Sequence, residues 1–300
     1  MKPINHIRTK KGMTVDELVR EMGNASFNAK KLAEAADIAE AMISDRECKV
    51  FFGLAGAMVP AGMRQIVIDM LDYSDVFVTT GANLTHDLIE ALGYHHYQGS
   101  ANADDKKLNK KGIDRIYDAY MPNNAYEGLE KFMQPLLRNI KKEMNIREFL
   151  WEIGRNVKKE SILKKCYDKK IPIFCPAISD SGIGLQVWSY IAQGNKLNVS
   201  AFDDLKEILD IAWSAKKTGV IYIGGGVPKN YIQQAMQFSK AAAYAVQITT
   251  DNAAFGGSSG AELREGISWG KLSSRAKHIT VNCDATIALP IIHAALKARL

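Results

Sequence analysis

The stretch TGVIYIGGGVPKNYI, residues 218–232, decides the fold class. Its run Val220–Gly224 shows no alternation of polar and apolar side chains, so the strand it predicts is covered on both faces, as central strands of parallel sheets are. The glycine-rich segment Gly224–Asn230 follows directly. Similar strand candidates occur at Val50–Leu54, Val76–Thr80, Ile171–Cys175, Tyr244–Thr249 and Ile279–Cys283. Helical patterns fill the gaps. Asn28–Ile43 sets Leu32, Ala35, Ala39 and Met42 three or four apart, which makes one buried stripe. Ser200 and Asp203 resemble a capping box opening Ala201–Lys217, whose Leu205, Ile208, Leu209 and Ala212 face inward. Thr14 and Glu17 give a similar signal for a short helix. Ala125–Met144 and Ile146–Lys159 read as helices joined around Asn145, and Ala285–Ala298 closes the chain, with Pro290 marking a kink or a helix start. Strands alternating with helices predict an α/β fold, a mostly parallel sheet with helices on both faces.

Of the 300 residues, 47% are apolar and 24% charged, which excludes a collagen, a disordered chain and a disulfide-stapled mini-protein. The economical division is an N-terminal helical extension over residues 1–44 and one α/β domain over 45–300. Lys and Arg outnumber Asp and Glu by 39 to 33, a mild formal charge of +6. The densest basic stretch, Arg155 to Lys170, reads as a solvated helix end and its loop, so no nucleic-acid partner is expected. Cys48, Cys166, Cys175 and Cys283 lack CxxC spacing and read as reduced, buried thiols of a cytoplasmic protein. No stretch reaches 18 apolar residues, so no membrane partner is expected either. The polar stretch Gly99–Lys111 is the expected mobile loop.

Four segments follow predicted strands, where ligands of doubly wound sheets bind: GLAGAMVPAG (53–62), TTGANLTHD (79–87), ISDSGIG (178–184) and GGGVPKN (224–230). Small residues let backbone approach a ligand, and free N–H groups meet a phosphate. Neither GxGxxG at a first βα turn nor GxxxxGK[ST] is present, and each segment alone reads equally well as a tight turn. The segment GGSSGAELREGISWGK (256–271) adds Glu262, Glu265, the indole of Trp269, and Lys271. A lysine beside an indole is partly desolvated, and desolvation favours the neutral, nucleophilic amine that forms Schiff bases; the plain alternative is an exposed lysine at a helix end. Asp180 and Asp284 follow strands, placed to bind a ribose hydroxyl pair or an ammonium, or to cap a helix. The six histidines form no metal set, since His95 and His96 are adjacent and point apart, and HxxxH is absent. No GxSxG elbow exists.

Read together, SWGK (268–271), TGVIYIGGGVPKNYI (218–232), IPIFCPAISDSGIG (171–184), DVFVTTGANLTHDL (75–88), GIDRIYDAYMPNNAY (112–126) and CDATIALP (283–290) resemble the deoxyhypusine synthase family, in order, from about residue 45 onward. The resemblance implies Rossmann-like subunits in a homotetramer with active sites between subunits. It implies tightly held NAD, a polyamine donor, and an aminoalkyl group captured as an imine on a lysine. The acceptor it implies is a lysine of a translation factor, or a second small amine as in homospermidine synthases. Carried over by motif, Lys271 resembles the imine-forming lysine, Trp269 the indole along the substrate's alkyl chain, and Glu265 a substrate-facing carboxylate. Gly56, Ala57, Met58, Thr80, Gly81, Gly225 and Gly226 match cofactor-binding loops, and Asp180 and Asp284 match carboxylates on NAD.

The departures bear on substrate. The family's catalytic histidine is Asn230 here, which hydrogen-bonds but takes up no proton near neutral pH. Ser258, Phe255 and Leu185 stand where acids are usual, and His86 replaces a glutamate. A pocket for a polycation needs carboxylates around each ammonium, and truncating one such buried contact costs ~2–5 kcal/mol. Three readings follow: family chemistry by NAD and a lysine imine, with His86 a candidate for the proton transfer lost at 230; the same scaffold on a shorter or less charged amine; and a non-catalytic NAD-binding homologue.

Overall fold

Long apolar runs become buried strands, and the computed structural model, which describes residues 3–300, arranges them in two units. The first takes the chain up to Gly56, Asp69–Val78 and Leu205–Leu300; the second takes Ala57–Ile68 and Thr79–Asp204. In the first, the sheet strands lie in the order Leu272–Asn282, Ala242–Thr249, Lys217–Ile223, Cys48–Leu54, Val76–Thr79. The pairings of 48–54 with 217–223, 217–223 with 242–249, and 242–249 with 272–282 are parallel. Register puts Phe51 against Val220 and Phe52 against Ile221, and all four are buried. Gly53 pairs with Tyr222, whose ring and the Ile232 side chain would meet a β-carbon at 3.0 and 3.1 Å, a tight fit. The α/β expectation holds.

Helix Phe27–Ser44 buries Leu32, Ala35, Ala39 and Met42, the stripe read from spacing. Helix Val15–Met22 opens with the expected Thr14–Glu17 capping box. The C-terminal helix ties both down: Arg299 bonds Asp16 (2.5 Å), Asp37 (2.8 Å) and Glu40 (3.1 Å). That helix runs over Ala285–Arg299 with Pro290 inside it, and it starts at the Asp284 cap, not at the proline. The last strand begins at Leu272, seven residues before Ile279. It lies at the sheet edge, where one face meets water, so Ser273, Arg275 and Lys277 interrupt the apolar run that the sequence reading sought.

The second unit holds helices Gly81–Ala91, Asn124–Asn139, Ile146–Asn156, Ile162–Lys169 and Gly182–Ala192, with short strands between them. The helix expected to reach Met144 stops at Asn139. Glu143–Asn145 instead pairs with Asn198–Ser200, and Asn145 caps the next helix in a capping box with Glu148. Gly99–Lys111 is not an open loop. Asp104 caps helix Asp105–Lys110, and Arg115 grips Asp105 at 2.6 and 2.8 Å.

Candidate functional site

Strand 48–54 lies between 217–223 on one side and 76–79 on the other, so the order reverses beside it. The crevice outside the carboxyl ends of 48–54 and 217–223 is such a sheet's natural ligand position. There the Ala55 N–H donates to the Ile223 carbonyl at 2.9 Å, and the glycine segment turns away. Gly224 and Gly226 adopt φ of 71° and 55°, conformations that favour glycine. A β-carbon on Gly225 would overlap Ser259 Cα. Gly225 is also the N-cap of helix Gly226–Gln237 and offers no side chain to the first N–H groups. An open cleft of about 630 Å³ lies over this helix start, lined by Gly226, Val227, Asn230, Tyr231, Gln234 and Ser258. The cleft brings together three residues singled out in the sequence, Gly226, Asn230 and Ser258, and none of its six lining residues is charged. A glycine cradle, uncapped N–H groups and this room fit a dinucleotide phosphate.

Behind the cleft lies a group that sequence reasoning missed. Lys229 is buried, and its Nζ donates to Ser258 O (2.7 Å), Ala261 O (2.7 Å) and Gln247 Oε1 (3.0 Å). Gln247 Nε2 donates onward to Ser259 O (2.8 Å) and Gly224 O (3.2 Å). One ammonium and one amide therefore hold the 256–261 loop against the glycine turn. Burial pushes Lys229 down to about 8; Glu265 and Asp251 oppose the shift and Lys271 adds to it. Asp251 accepts a bond from the Ser259 hydroxyl, which holds its carboxyl below the usual range. The available signal was VPKN, with Lys229 three residues past Gly226, where a helix turns back toward the sheet.

Glu265 sits on the 3₁₀ turn Leu263–Ile267, and Lys271 leads into the edge strand, its N–H bonded to Gly266 O at 2.8 Å. Lys271 Nζ stands 4.9 Å from the centroid of the Trp269 ring, the indole contact anticipated from SWGK. The desolvation anticipated for Lys271 is only partial within this chain: Trp269 is 57% exposed, Lys271 half-buried, and Phe255 and Glu265 exposed. Lys271, Glu265 and Trp269 do not line the cleft. Asp284 caps helix 285–299, accepting from Thr286 N at 2.7 Å and from the Thr286 hydroxyl, whose bond holds the carboxyl low. Gly56, with φ of 80°, has open space around it.

In the second unit, Ala57 is exposed and Met58 buried just before the turn of helix Val59–Met63. Thr80 caps helix 81–91, and Gly81 is required by the close approach of Ser181, whose Cβ and Oγ fill the place of a side chain. Asp180 is exposed at the turn before helix 182–192, and Leu185 is exposed on that helix. His86 is half-buried, its Nδ1 2.9 Å from His96 Nε2. His96 in turn places Nδ1 2.7 Å from Glu90 Oε1. Asp87, fully buried, accepts from Arg64 Nε (2.8 Å) and from the N–H groups of Ile162 and Leu163, so it anchors the start of helix 162–169. His95 is exposed, whereas the His96 side chain is 6% exposed.

A family model described as deoxyhypusine synthase matches residues 17–296. The chain belongs to the deoxyhypusine synthase family. The match starts well ahead of residue 45, where the motif resemblance begins, and takes in the N-terminal helices. "Probable deoxyhypusine synthase 1" of Methanosarcina mazei is 48% identical over 303 residues, covering 99% of this chain and 95% of the relative. "Probable deoxyhypusine synthase 1" of Archaeoglobus fulgidus is 44% identical over 292 residues, 96% of each. A crystal structure of a "putative deoxyhypusine synthase" from Entamoeba histolytica superposes with a TM-score of 0.65 at 19% identity, covering 96% of this chain and 94% of that one. The fold is shared more widely. AgrE, crystallised in a ternary complex with ornithine and NAD+, matches with a TM-score of 0.56 at 12% identity over 91% of this chain and 34% of that one.

Proposed function

We propose that this deoxyhypusine synthase family member is an NAD-dependent transferase that moves an aminoalkyl group from an amine donor through an imine on Lys271. The observation that carries the reading is the SWGK turn, with Lys271 Nζ over the Trp269 indole and its charge, like that of Glu265, felt at the buried Lys229. NAD, when bound, would supply the two-electron acceptor that oxidises the donor amine and later returns hydride. Gly56, Ala57, Met58, Thr80, Gly81, Gly225, Gly226, Asp180 and Asp284 are the residues we assign to holding it, and the uncapped start of helix 226–237 supports that assignment. The Trp269 ring orients the alkyl chain, and Glu265 faces an ammonium.

The donor we propose carries fewer charges than spermidine. Leu185 and Phe255 bring no carboxylate, the cleft beside Asn230 and Ser258 is neutral, and Glu265 and Asp251 are the acids whose charge reaches Lys229. A short diamine meets that supply. The acceptor is an amine, either a protein lysine, as on a translation factor, or a small molecule. We further propose a homotetramer whose neighbouring subunit closes the niche over Lys271. Leu185, Trp188 and Ile191 form an exposed apolar face on helix 182–192, and Trp269 and Phe255 are likewise uncovered. The reaction is assigned to the cytoplasm, where thiols such as the buried Cys48, Cys166 and Cys175 stay reduced.

The test is to incubate the protein and NAD with a panel of monoamines, diamines and spermidine, then trap with borohydride and read the mass of the Lys271 peptide. A diamine-derived adduct at Lys271 is expected. A protein that binds NAD yet gives no adduct at that residue with any amine would overturn the reading.

A further inference from the structure

Lys229 and Gln247 are both buried behind the glycine turn, and their donor pattern is fixed. A lysine ammonium only donates, so the Gln247 oxygen is the atom that faces it at 3.0 Å. The Gln247 amide nitrogen is then the donor to Ser259 O at 2.8 Å and to Gly224 O at 3.2 Å. The other two Lys229 protons go to Ser258 O and Ala261 O, both at 2.7 Å. Three acceptors around Nζ take three N–H donors, which only the ammonium has. All of these residues belong to the unit that carries the sheet.

A trans peptide is planar, with its N–H antiparallel to its C=O. Drawing Gly224 O and Ser258 O inward to the buried pair therefore turns the Gly225 and Ser259 N–H groups outward, to the side where Gly226 and Ser258 line the cleft. The two groups are neighbours, since a β-carbon on Gly225 would overlap Ser259 Cα. Among the described residues neither N–H meets a backbone acceptor, whereas the Gly260 N–H is already bonded to Gly257 O at 3.2 Å. Two outward N–H groups beside the uncapped start of helix 226–237 favour an anion, and the Lys229 charge behind them repels an ammonium.

We propose that Lys229 and Gln247 are positioning residues for the cofactor, turning the Gly225 and Ser259 N–H groups into the cleft as donors to the dinucleotide's phosphate oxygens. The proposal rests on the assignment of the cleft to NAD made above. Neither side chain touches the ligand; each acts through the carbonyls it holds. The arrangement also divides the labour of this unit. Phosphates take the cleft over the helix start, and the donor amine is left to Glu265, Trp269 and Lys271, none of which lines that cleft.

The test needs no amine in its first arm. In full-length protein labelled with ¹⁵N at glycine and serine, ADP-ribose, which keeps the pyrophosphate and lacks the nicotinamide, should move the Gly225 and Ser259 amide protons downfield. Calorimetric titration with ADP-ribose should show ~10²-fold weaker binding in Lys229→Met, the effect of losing one or two charge-assisted hydrogen bonds. Gln247→Glu keeps the oxygen that faces Lys229 but loses both donors, and it should weaken binding to a similar extent with an unchanged circular dichroism spectrum. Lys229→Arg, which keeps a cationic donor, should recover part of the affinity. In the second arm, the KM for NAD in Lys271 adduct formation should rise in Lys229→Met and Gln247→Glu, with the rate at saturating NAD little changed. Unmoved amide protons in a wild-type protein that binds ADP-ribose, or folded variants of unaltered affinity, overturn the positioning role and leave the cofactor assignment standing. A wild-type protein that binds neither ADP-ribose nor NAD overturns that assignment and the positioning role with it.

Discussion

Replacing Arg299 by methionine tests how firmly the N-terminal helices belong to the sheet unit. The guanidinium is 1% exposed and meets three carboxylates of unequal cover. Asp37 and Glu40 are 67% and 36% exposed, so they rehydrate when the cation goes, and each pair contributes ~0–1 kcal/mol. Asp16 is 15% exposed, and its charged hydrogen bond contributes ~1.5–3 kcal/mol, softened because Arg20 stays bonded to it at 2.8 Å. Arg299 Nη2 is buried without a partner among the described residues, which trims the sum further. Methionine keeps the packing of the aliphatic stem. The expected loss is ~2–3 kcal/mol, or a Tm lower by ~4–6 °C for a chain of this size. Calorimetry at pH 7 reads the loss, and amide exchange should quicken in helix 15–22 before the core strands. An unchanged Tm with unaltered protection of that helix would refute the assignment of Arg299 as its anchor.

Gly225→Ala should lose ~3 kcal/mol in urea unfolding, because its β-carbon meets Ser259 backbone, while Gly56→Ala, with open space but φ of 80°, should lose only ~1–2 kcal/mol; equal losses would contradict the close approach. The Glu17 carboxyl is held down to about 2, chiefly by its bond from Lys10 and then by the Thr14 N–H and hydroxyl. A folded value below the unfolded one means that this contribution is whole above pH ~4.5 and is lost as pH falls through about 2. The Thr14 amide shift should therefore titrate near pH 2, and a midpoint near 4.5 would show that the capping box is not formed.

The central strands were legible because strands covered on both faces spell continuous apolar runs, as 48–54 and 217–223 do. The edge strand 272–282 was legible only in its last third, since half its residues answer to water. The helix end at Asn139 was hidden because Lys142 and Glu143 suit a helix as well as a strand, and only the pairing with Asn198–Ser200 decides. At the site, the glycine segments announced the crevice, and SWGK announced the lysine on its indole. Lys229 was passed over because a lysine in a sequence says nothing of three carbonyl-type oxygens waiting around it. The adjacent histidines differ in exposure, His95 open to water and the His96 side chain 6% exposed. His96 meets His86, ten positions earlier, across a turn that spacing does not encode.

The long separation between strand 48–54 and its neighbour carries a consequence for biosynthesis. Cys48 meets Lys217, so a ribosome must add 169 residues after the first strand before its partner exists. At ~5–20 residues per second, the nascent strand with Phe51, Phe52 and Leu54 waits for ~10–30 s with one edge unpaired. That interval is long enough for a holding chaperone to engage it. Slowing translation upstream of codon 217 should therefore raise aggregation of the newborn chain without altering the finished protein.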